Sequence, residues 1–334
     1  MQQPVPPHRQ PGFLHSVVLL ALWACLILAP PGETQTPSYR IGLLISGFTS
    51  HPALTGFRDG LAQLGYTEGH NLHFLLANAE GEAARLPDLA TGLVAAAPDV
   101  IFTIGTMATT AAKHATTTVP IVFAFVADPI QAGLVASHAS SRNNVTGISN
   151  HAGALMGKRL EFLKEVLPEV KRVLTIVTPR EDLSLRVFDT IANVAPQLGI
   201  ELVRRDVSSA AELAPLLQAL PAGTVEAILY VPSTLLWSQM EVLIEQAHAL
   251  RLPLIGHDNS TVEQGALLSY GADFRLLGQQ AARLAVKMLH GAKPAEIPIQ
   301  TPERLFLAVN LSTARALGLK IPRHVLENTD LLIE

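Results

Sequence analysis

The chain has 334 residues, of which 49% are apolar and 16% charged, and its formal net charge at pH 7 is -4. This composition supplies enough apolar side chains for the cores of two domains and excludes an intrinsically disordered protein. Nothing provides the positive field that a nucleic-acid partner requires, and the single cysteine, Cys25, excludes an intrachain disulfide or a thiolate metal cluster.

The N-terminal segment has the profile of an export signal. A polar start is followed by an apolar stretch at 13–29, and the Pro-Pro-Gly sequence at 30–32 ends any helix there. We therefore place residues 1–34 in a signal peptide and linker. One alternative makes Cys25 a lipidated mature N-terminus, and another keeps the segment as an uncleaved anchor. Beyond residue 38 no apolar run reaches the roughly 20 residues of a membrane span.

Short runs rich in Val and Ile alternate with amphipathic helical segments along the rest of the chain, which is typical of βαβ units with a buried parallel sheet. In the first half, strands are predicted at 40–45, 71–77, 100–104, 121–126 and 146–148. In the second half, they are predicted at 173–177, 201–206, 227–231, 254–256 and 266–269. Helices are predicted at 54–64, 85–97 and 274–289, with a last strand at 304–309.

The second half repeats landmarks of the first half in the same order. Arg40 before the first strand corresponds to Arg172, and Asp99 before a later strand corresponds to Glu226. Solenoid repeats have periods of about 20 to 50 residues, so this longer period instead predicts two whole α/β lobes of one design.

We expect lobe one to comprise residues 39–148 and 271–300, and lobe two residues 150–267 and 303–334. The chain would then cross between the lobes near residues 149, 269 and 302. Ligands of doubly wound sheets bind outside the carboxyl ends of the strands, so the cleft between the lobes is the predicted site.

Polar and turn residues in the loops after the strands form the predicted ligand site. From lobe one this set comprises Ser46, Phe48, Thr49, Gly105, Thr106, Asp128 and Pro129. From lobe two it comprises Thr178, Arg180, Pro232, Ser233 and Asp258. Asp128 is placed to meet an ammonium, with capping of a helix after Pro129 as its alternative role. Hydroxyls and helix N-termini would receive a carboxylate, and Phe48 would add an apolar wall, so we expect a small zwitterion of amino-acid type.

Several segments carry a family resemblance that covers nearly the whole mature chain. They are 40–44 (RIGLL), 57–61 (FRDGL), 64–69 (LGYTEG), 119–123 (VPIVF), 133–137 (GLVAS), 144–147 (NVTG), 157–160 (GKRL), 268–271 (LSYG) and 316–322 (ALGLKIP). Together they resemble ABC transporter substrate-binding proteins related to the tryptophan- and tyrosine-binding group. The resemblance implies a type I periplasmic-binding-protein fold, α/β with two Rossmann-like, doubly wound lobes of parallel sheet, joined by a hinge of three crossovers.

Enzyme chemistry finds no support in the sequence. The G-x-S-x-G turn, the phosphate-binding loop and the dinucleotide fingerprint are absent, and no two histidines have the H-x-x-x-H spacing of a zinc site. We therefore predict no enzyme, no cofactor and no metal.

The expected function is that of a periplasmic or otherwise extracytoplasmic solute-binding protein of an ABC importer. Such a protein is a monomer, peripheral to the membrane, that closes around a small molecule and presents it to a permease. The alternative is a ligand-sensing protein that partners a membrane signalling protein.

Overall fold

The computed structural model describes residues 1–4, 38–47, 51–150, 153 and 155–334. Contacts divide the chain into Met1–Pro37 and Ser38–Glu334, and the second unit carries the fold. Residues 5–37, which include most of the predicted signal peptide and Cys25, lie outside the described residues.

Twelve strands among the described residues form two sheets. They are β1 (Tyr39–Ile45), β2 (Leu72–Asn78), β3 (Val100–Ile104), β4 (Ile121–Val126), β5 (Val145–Ser149), β6 (Arg172–Val177), β7 (Glu201–Asp206), β8 (Ala227–Leu229), β9 (Leu254–Gly256), β10 (Leu268–Ala272), β11 (Leu305–Asn310) and β12 (Leu331–Ile333). The first sheet has the order β2-β1-β3-β4-β5 and the second β12-β11-β10-β9-β8-β6-β7. All neighbours pair in parallel except β10 and β11, which are antiparallel.

Helices cover both faces of each sheet. The α-helices of the described residues are α1 (Pro52–Gln63), α2 (Leu86–Ala95), α3 (Thr106–Ala115), α4 (Met156–Val166), α5 (Asp182–Val194), α6 (Ala210–Gln218), α7 (Thr234–Ser238), α8 (Met240–Ala249), α9 (Asn259–Glu263), α10 (Phe274–Leu289), α11 (Leu311–Leu317) and α12 (Arg323–Glu327). Short 3-10 helices occur at Ala83–Arg85, Ala195–Leu198 and Pro294–Glu296. This arrangement confirms the predicted fold class of two α/β lobes with parallel sheets.

The course of the chain links the two lobes three times. β5 belongs to the first sheet and β6 to the second. β10 lies in the second sheet, yet the helix after it, α10, packs along α1 of the first lobe, and β11 then returns to the second sheet. The lobe bounds predicted from the sequence stay a proposal, with one adjustment. Because β10 pairs within the second sheet, we place 268–272 in lobe two.

The repeat that the sequence predicts has a physical basis in both sheets. The carboxylate of Asp99 accepts the backbone N–H of Arg40 at 2.7 Å, which ties the start of β1 to the residue before β3. In the second sheet, Glu226 accepts the backbone N–H of Arg172 at 2.6 Å and also pairs with its guanidinium. The same carboxylate tether therefore joins the first and third strand positions of each lobe.

The contact between α1 and α10 completes one face of lobe one. Two glycines let the helix backbones meet: a Cβ at Gly56 would lie 1.9 Å from the Arg275 carbonyl oxygen, and one at Gly278 would lie 2.0 Å from that of Ala53. Beneath them, the rings of Phe57 and Phe102 stack with centroids 3.9 Å apart and are fully buried. A helix from far along the chain is thus built into the core of lobe one.

Candidate functional site

Six aromatic side chains from both lobes meet between the sheets, and we call them the ring cluster: His51, Phe125, Tyr230, Trp237, His257 and Phe274. Lobe one supplies His51 at the start of α1 and Phe125 on β4, and Phe274 begins α10. Lobe two supplies the other three from the segments after β8 and β9. These positions follow the carboxyl ends of parallel strands, where ligands of doubly wound folds bind.

His257 lies at the centre of the ring cluster. Its ring stacks on Tyr230 with a centroid distance of 4.6 Å and an interplanar angle of 21°. Trp237 meets it edge-on at 5.2 Å, and Phe274 and Phe125 lie at 5.3 Å and 5.9 Å. Because rings from both lobes contact one side chain, the cluster spans the cleft.

Phe125 reaches the cluster through an irregularity in β4. Its φ is +63°, a left-handed conformation that costs a bulky residue free energy. The register between β4 and β5 shifts between Ala124 and Val126, so Phe125 occupies a β-bulge. Bulges re-aim side chains beside functional sites, and this one accompanies a ring that packs 4.4 Å from Phe274.

The two histidines of the cluster are held neutral by burial. Desolvation lowers the pKa of His51 to about 4, and the Nδ1 atom of this residue accepts the backbone N–H of Ala53 at 3.1 Å as the cap of α1. For His257, desolvation first, then the charges of Arg159 and His51, lower the pKa well below its usual value. A neutral imidazole offers one donor and one acceptor.

Two buried ionisable side chains, Arg159 and Asp258, neighbour His257 and interact electrostatically with each other. Arg159 donates from Nε to the Tyr270 carbonyl at 2.8 Å and from Nη2 to the His257 carbonyl at 3.1 Å. Desolvation raises the pKa of Asp258 to about 6, although its carboxylate accepts the Ser260 hydroxyl at 2.7 Å. Desolvation likewise lowers the pKa of Arg159 to about 10, while Asp258 opposes that change.

Several buried polar atoms near the strand ends have no hydrogen-bond partner within the described part of the chain. They are Asn150 Oδ1, Thr178 Oγ1, Asn259 Oδ1 and both ring nitrogens of His257, together with the more deeply placed Thr175 Oγ1 and Ser269 Oγ. Buried polar groups are nearly always paired, so a cleft with several unpaired ones has unused capacity to bind a polar ligand.

The structure gives several predicted site residues local roles. The Ser233 hydroxyl accepts the Leu236 N–H at 2.9 Å and caps α7, and Asp258 accepts the Thr261 N–H at 3.2 Å and caps α9. Gly105, with φ +83°, precedes α3.

The remaining predicted site residues differ mainly in exposure. Arg180 is exposed, whereas Pro129, Thr178 and Pro232 are buried, and Ser46, Gly105 and Thr106 are half-buried. Phe48 and Thr49 lie outside the described residues.

Asp128 has the geometry of its alternative, capping role, and its part in ligand binding stays a prediction. It is exposed, and its Oδ1 accepts the backbone N–H groups of Ile130 at 3.1 Å and Gln131 at 2.9 Å, which is the capping alternative. It lines a groove of about 250 Å³ between the loop after β4 and the side of α5, where Arg186 lies opposite. An exposed carboxylate with these contacts is a poor partner for a buried ammonium.

Sequence reasoning missed the aromatic part of the site. Phe125 and Phe274 lie in the predicted strand 121–126 and at the start of the predicted helix 274–289, where an aromatic side chain indicates core packing. One signal was available: His257 and Trp237 both stand within a few residues of predicted site positions after strands of lobe two. No periodicity shows that rings from separate segments converge.

Within the described ranges, no helix is long and apolar enough to cross a bilayer, and no group of three His, Cys, Asp or Glu side chains is arranged to hold a metal ion.

Comparisons with known proteins cover almost all of the described fold. The sequence model of the ABC transporter substrate binding protein family matches residues 41–332. A tyrosine-binding protein from Clostridioides difficile strain R20291 is 30% identical over 281 residues, which are 83% of this chain and 80% of that protein.

Solved structures agree in fold. A conserved domain protein from Vibrio cholerae has a TM-score of 0.81 at 31% identity, covering 88% of this chain and 99% of that one. An ABC domain from Streptococcus pneumonia in complex with L-Trp also gives 0.81, at 28% identity and coverages of 89% and 100%. A ligand-free, open substrate binding protein from Clostridium difficile gives 0.66 at 28% identity, with coverages of 89% and 99%.

Proposed function

Because the chain belongs to the family of ABC transporter substrate-binding proteins, we propose that it is the receptor of an importer and binds an aromatic amino acid between its lobes. The observation that carries this proposal is the ring cluster, in which side chains of both lobes surround the buried His257. Substrate-binding proteins of this kind act outside the cytoplasm, where they deliver their ligand to a permease.

The ring cluster suits an aromatic ligand side chain. Aromatic rings prefer edge-to-face and offset contacts at centroid distances of about 4.5–7 Å, and such pairs add about 0.5–1.5 kcal/mol to the burial of their area. Phe125, Trp237 and Phe274 present this surface from three separate segments of the chain. The names of two similar proteins, one tyrosine-binding and one in complex with L-Trp, support the same ligand class.

The charged end of an amino acid needs a different part of the cleft. Asp273 directly precedes Phe274 at the crossover into α10, and its Oδ2 accepts the side-chain amide of Asn259 at 3.2 Å. It is half-buried, and one further oxygen of this pair, Asn259 Oδ1, lacks a partner in the described structure. We assign Asp273 to the ligand ammonium, in place of the exposed Asp128.

Hinge closure follows from the way the cluster is divided. The fold is more similar to the L-Trp complex, with a TM-score of 0.81, than to the open ligand-free protein, with 0.66, which supports a closed arrangement of the lobes here. Opening would separate Trp237 from His51, whose centroids are now 5.6 Å apart. A ligand that contacts both lobes binds the closed state better and therefore shifts the population towards it.

The test is calorimetric titration of the purified protein with L-tyrosine, L-tryptophan, L-phenylalanine, L-leucine and a set of sugars. We expect saturable binding of aromatic amino acids and none of sugars. Small-angle scattering at saturating ligand should then show a smaller radius of gyration than without ligand. Binding of a sugar alone, or an unchanged radius of gyration, would contradict the ligand class or the hinge closure respectively.

A further inference from the structure

His257 has an unused hydrogen-bonding capacity that the ring cluster does not explain. The residue is 3% exposed, and neither Nδ1 nor Nε2 has a partner among the described residues. Leaving a buried polar group unpaired costs about 1–3 kcal/mol. Phe at this position would stack on Tyr230 without that cost, so packing alone does not explain the imidazole nitrogens.

The polar groups near the ring are either too far away to form a hydrogen bond with it or have other partners. The closest approach of Asp258 is 3.9 Å from its Oδ1 to Nδ1, which is beyond hydrogen-bond distance. Tyr230 donates its hydroxyl to the Ser233 carbonyl at 3.2 Å. Arg159 donates to the carbonyl oxygen of His257 and not to its ring. The two nitrogens are therefore available to a ligand.

The surroundings define the chemistry of that ligand group. Rings on several sides exclude water, and the charges that face His257, those of Arg159 and Asp258, are held by local hydrogen bonds. Burial first, and then the charges of Arg159 and His51, lower the pKa of His257 well below its usual value, so the ring is neutral at physiological pH. A neutral ring in an apolar enclosure suits a neutral donor or acceptor carried by an aromatic group, not an ammonium or a carboxylate.

We propose that His257 selects aromatic amino acids that carry a polar ring atom, the phenol of tyrosine or the indole N–H of tryptophan, over phenylalanine. This inference rests on the proposed function, since it assumes that the ligand side chain enters the ring cluster. The neutral imidazole accepts the phenol O–H or indole N–H at one nitrogen. Its N–H, on the other nitrogen, offers an alternative contact that a phenol oxygen can accept and an indole N–H cannot.

The size of the selection follows from the unpaired group. Phenylalanine would bury the same apolar area but leave His257 unsatisfied, and sites built around a substrate hydroxyl or N–H reject analogues that lack it. We expect phenylalanine to bind the wild-type protein about 100-fold more weakly than tyrosine, which is the scale of one lost buried hydrogen bond.

The experiment titrates tyrosine, tryptophan and phenylalanine into wild type, His257→Phe, His257→Leu and His257→Gln. In the Phe and Leu variants, affinity for tyrosine and tryptophan should fall about 10- to 100-fold, while affinity for phenylalanine should stay the same or rise. His257→Gln keeps one donor and one acceptor and should retain part of the preference for tyrosine. Urea unfolding of each variant shows whether it is folded, and the Leu variant serves if the larger Phe does not fit.

The wild-type affinity for tyrosine should also stay constant between pH 7 and pH 8, because the pKa of His257 lies well below this interval and the pKa of the neighbouring Asp258 is about 6. Equal wild-type affinity for tyrosine and phenylalanine would overturn the inference and leave the proposed function intact. The same conclusion follows if His257→Phe weakens all three ligands by one common factor. A wild-type protein that binds none of the three amino acids overturns both.

Discussion

Replacing Arg159 by methionine tests whether the buried cation fixes the backbone segments at Tyr270 and His257. The guanidinium is 2% exposed and donates to the carbonyls of Tyr270 and His257, which belong to separate segments of lobe two. Methionine keeps most of the apolar stem but removes both hydrogen-bond donors and the positive charge that stabilises the Asp258 carboxylate. We expect the variant to fold with lower stability and with a less fixed His257.

The magnitude follows from the groups that lose their partner. Removing one member of a buried charged pair costs about 3–5 kcal/mol. Each carbonyl left unpaired costs about 1–3 kcal/mol, and the methionine stem recovers part of this through burial. We therefore expect Arg159→Met to lower the free energy of unfolding by about 3–5 kcal/mol, measured by urea denaturation at pH 8.

The pH dependence separates loss of charge from loss of packing. Arg159 helps to lower the pKa of Asp258, so the variant raises that pKa further above about 6. Between the ordinary carboxyl pKa and the raised pKa, Asp258 is protonated in the folded variant but ionised in the unfolded chain. The folded state therefore binds more protons, and this group makes the variant more stable as the pH falls. Destabilisation relative to wild type should consequently be smaller at pH 5 than at pH 8. Loss of the Arg159 charge also raises the pKa of His257, which acts in the same direction, while the contribution of His51 is common to both proteins.

Lys158→Met is the matched control. Lys158 neighbours Arg159 on α4, but its side chain is 45% exposed and pairs with Glu161 at 2.8 Å on the surface. Exposed ion pairs contribute about 0–1 kcal/mol, so this variant should stay within about 1 kcal/mol of wild type. A loss below about 1 kcal/mol for Arg159→Met, or an equal loss at both pH values, would refute the electrostatic argument.

Three further predictions concern the cleft. Trp237→Ala should weaken binding of the aromatic ligand by at least about 30-fold in calorimetric titration, because truncating a central aromatic side chain of an interface costs about 2 kcal/mol or more. Phe188→Ala, a change outside the ring cluster, should leave the affinity unchanged, and equal effects of the two would argue against the cluster. Asp273→Asn can still cap α10 but loses its negative charge, and it should weaken binding about 10- to 100-fold. Asp128→Asn should change the affinity less than about threefold. A larger effect at Asp128 than at Asp273 would restore Asp128 as the ammonium partner. The folded pKa of His51, about 4, lies below its ordinary value of 6.5, so this residue contributes stability above pH 6.5 that is lost as the pH falls towards 4. His51→Asn, which preserves a capping acceptor, should therefore reduce the difference between urea midpoints at pH 7.5 and pH 5, and an unchanged difference would contradict the assignment.

The sequence predicts the two-lobed fold because strands and helices are specified by patterns of neighbouring residues. Alternating strand and helix patterns place β1 to β11 within a few residues but miss the short β12, and α10 matches its predicted range of 274–289. The repeat of Arg40 with Asp99 and Arg172 with Glu226 reflects hydrogen bonds that join neighbouring strands in each sheet. Polar residues after strands likewise point to the cleft, since every strand end of a doubly wound sheet faces the same edge.

The ring cluster could not be predicted because its geometry depends on long-range packing. The bulge at Phe125 exists only in the paired sheet, and an apolar strand sequence gives no sign of a positive φ. β10 was predicted at 266–269 but runs over Leu268–Ala272, since its register is set by antiparallel pairing with β11. Asp128 illustrates the same difficulty, because an acidic residue before proline serves equally well as a turn cap or a ligand contact until its exposure is known.

The contact between α1 and α10 also determines the order in which this molecule can fold. The core of lobe one includes Leu277, Ala281 and Leu284, yet the chain between its last strand and these residues builds most of lobe two. A nascent chain that ends before residue 274 therefore leaves the α10-facing side of Phe57 without its covering helix. Contacts of such long sequence separation form late and slow folding. Lobe one thus stays incomplete until the chain has emerged almost to its end.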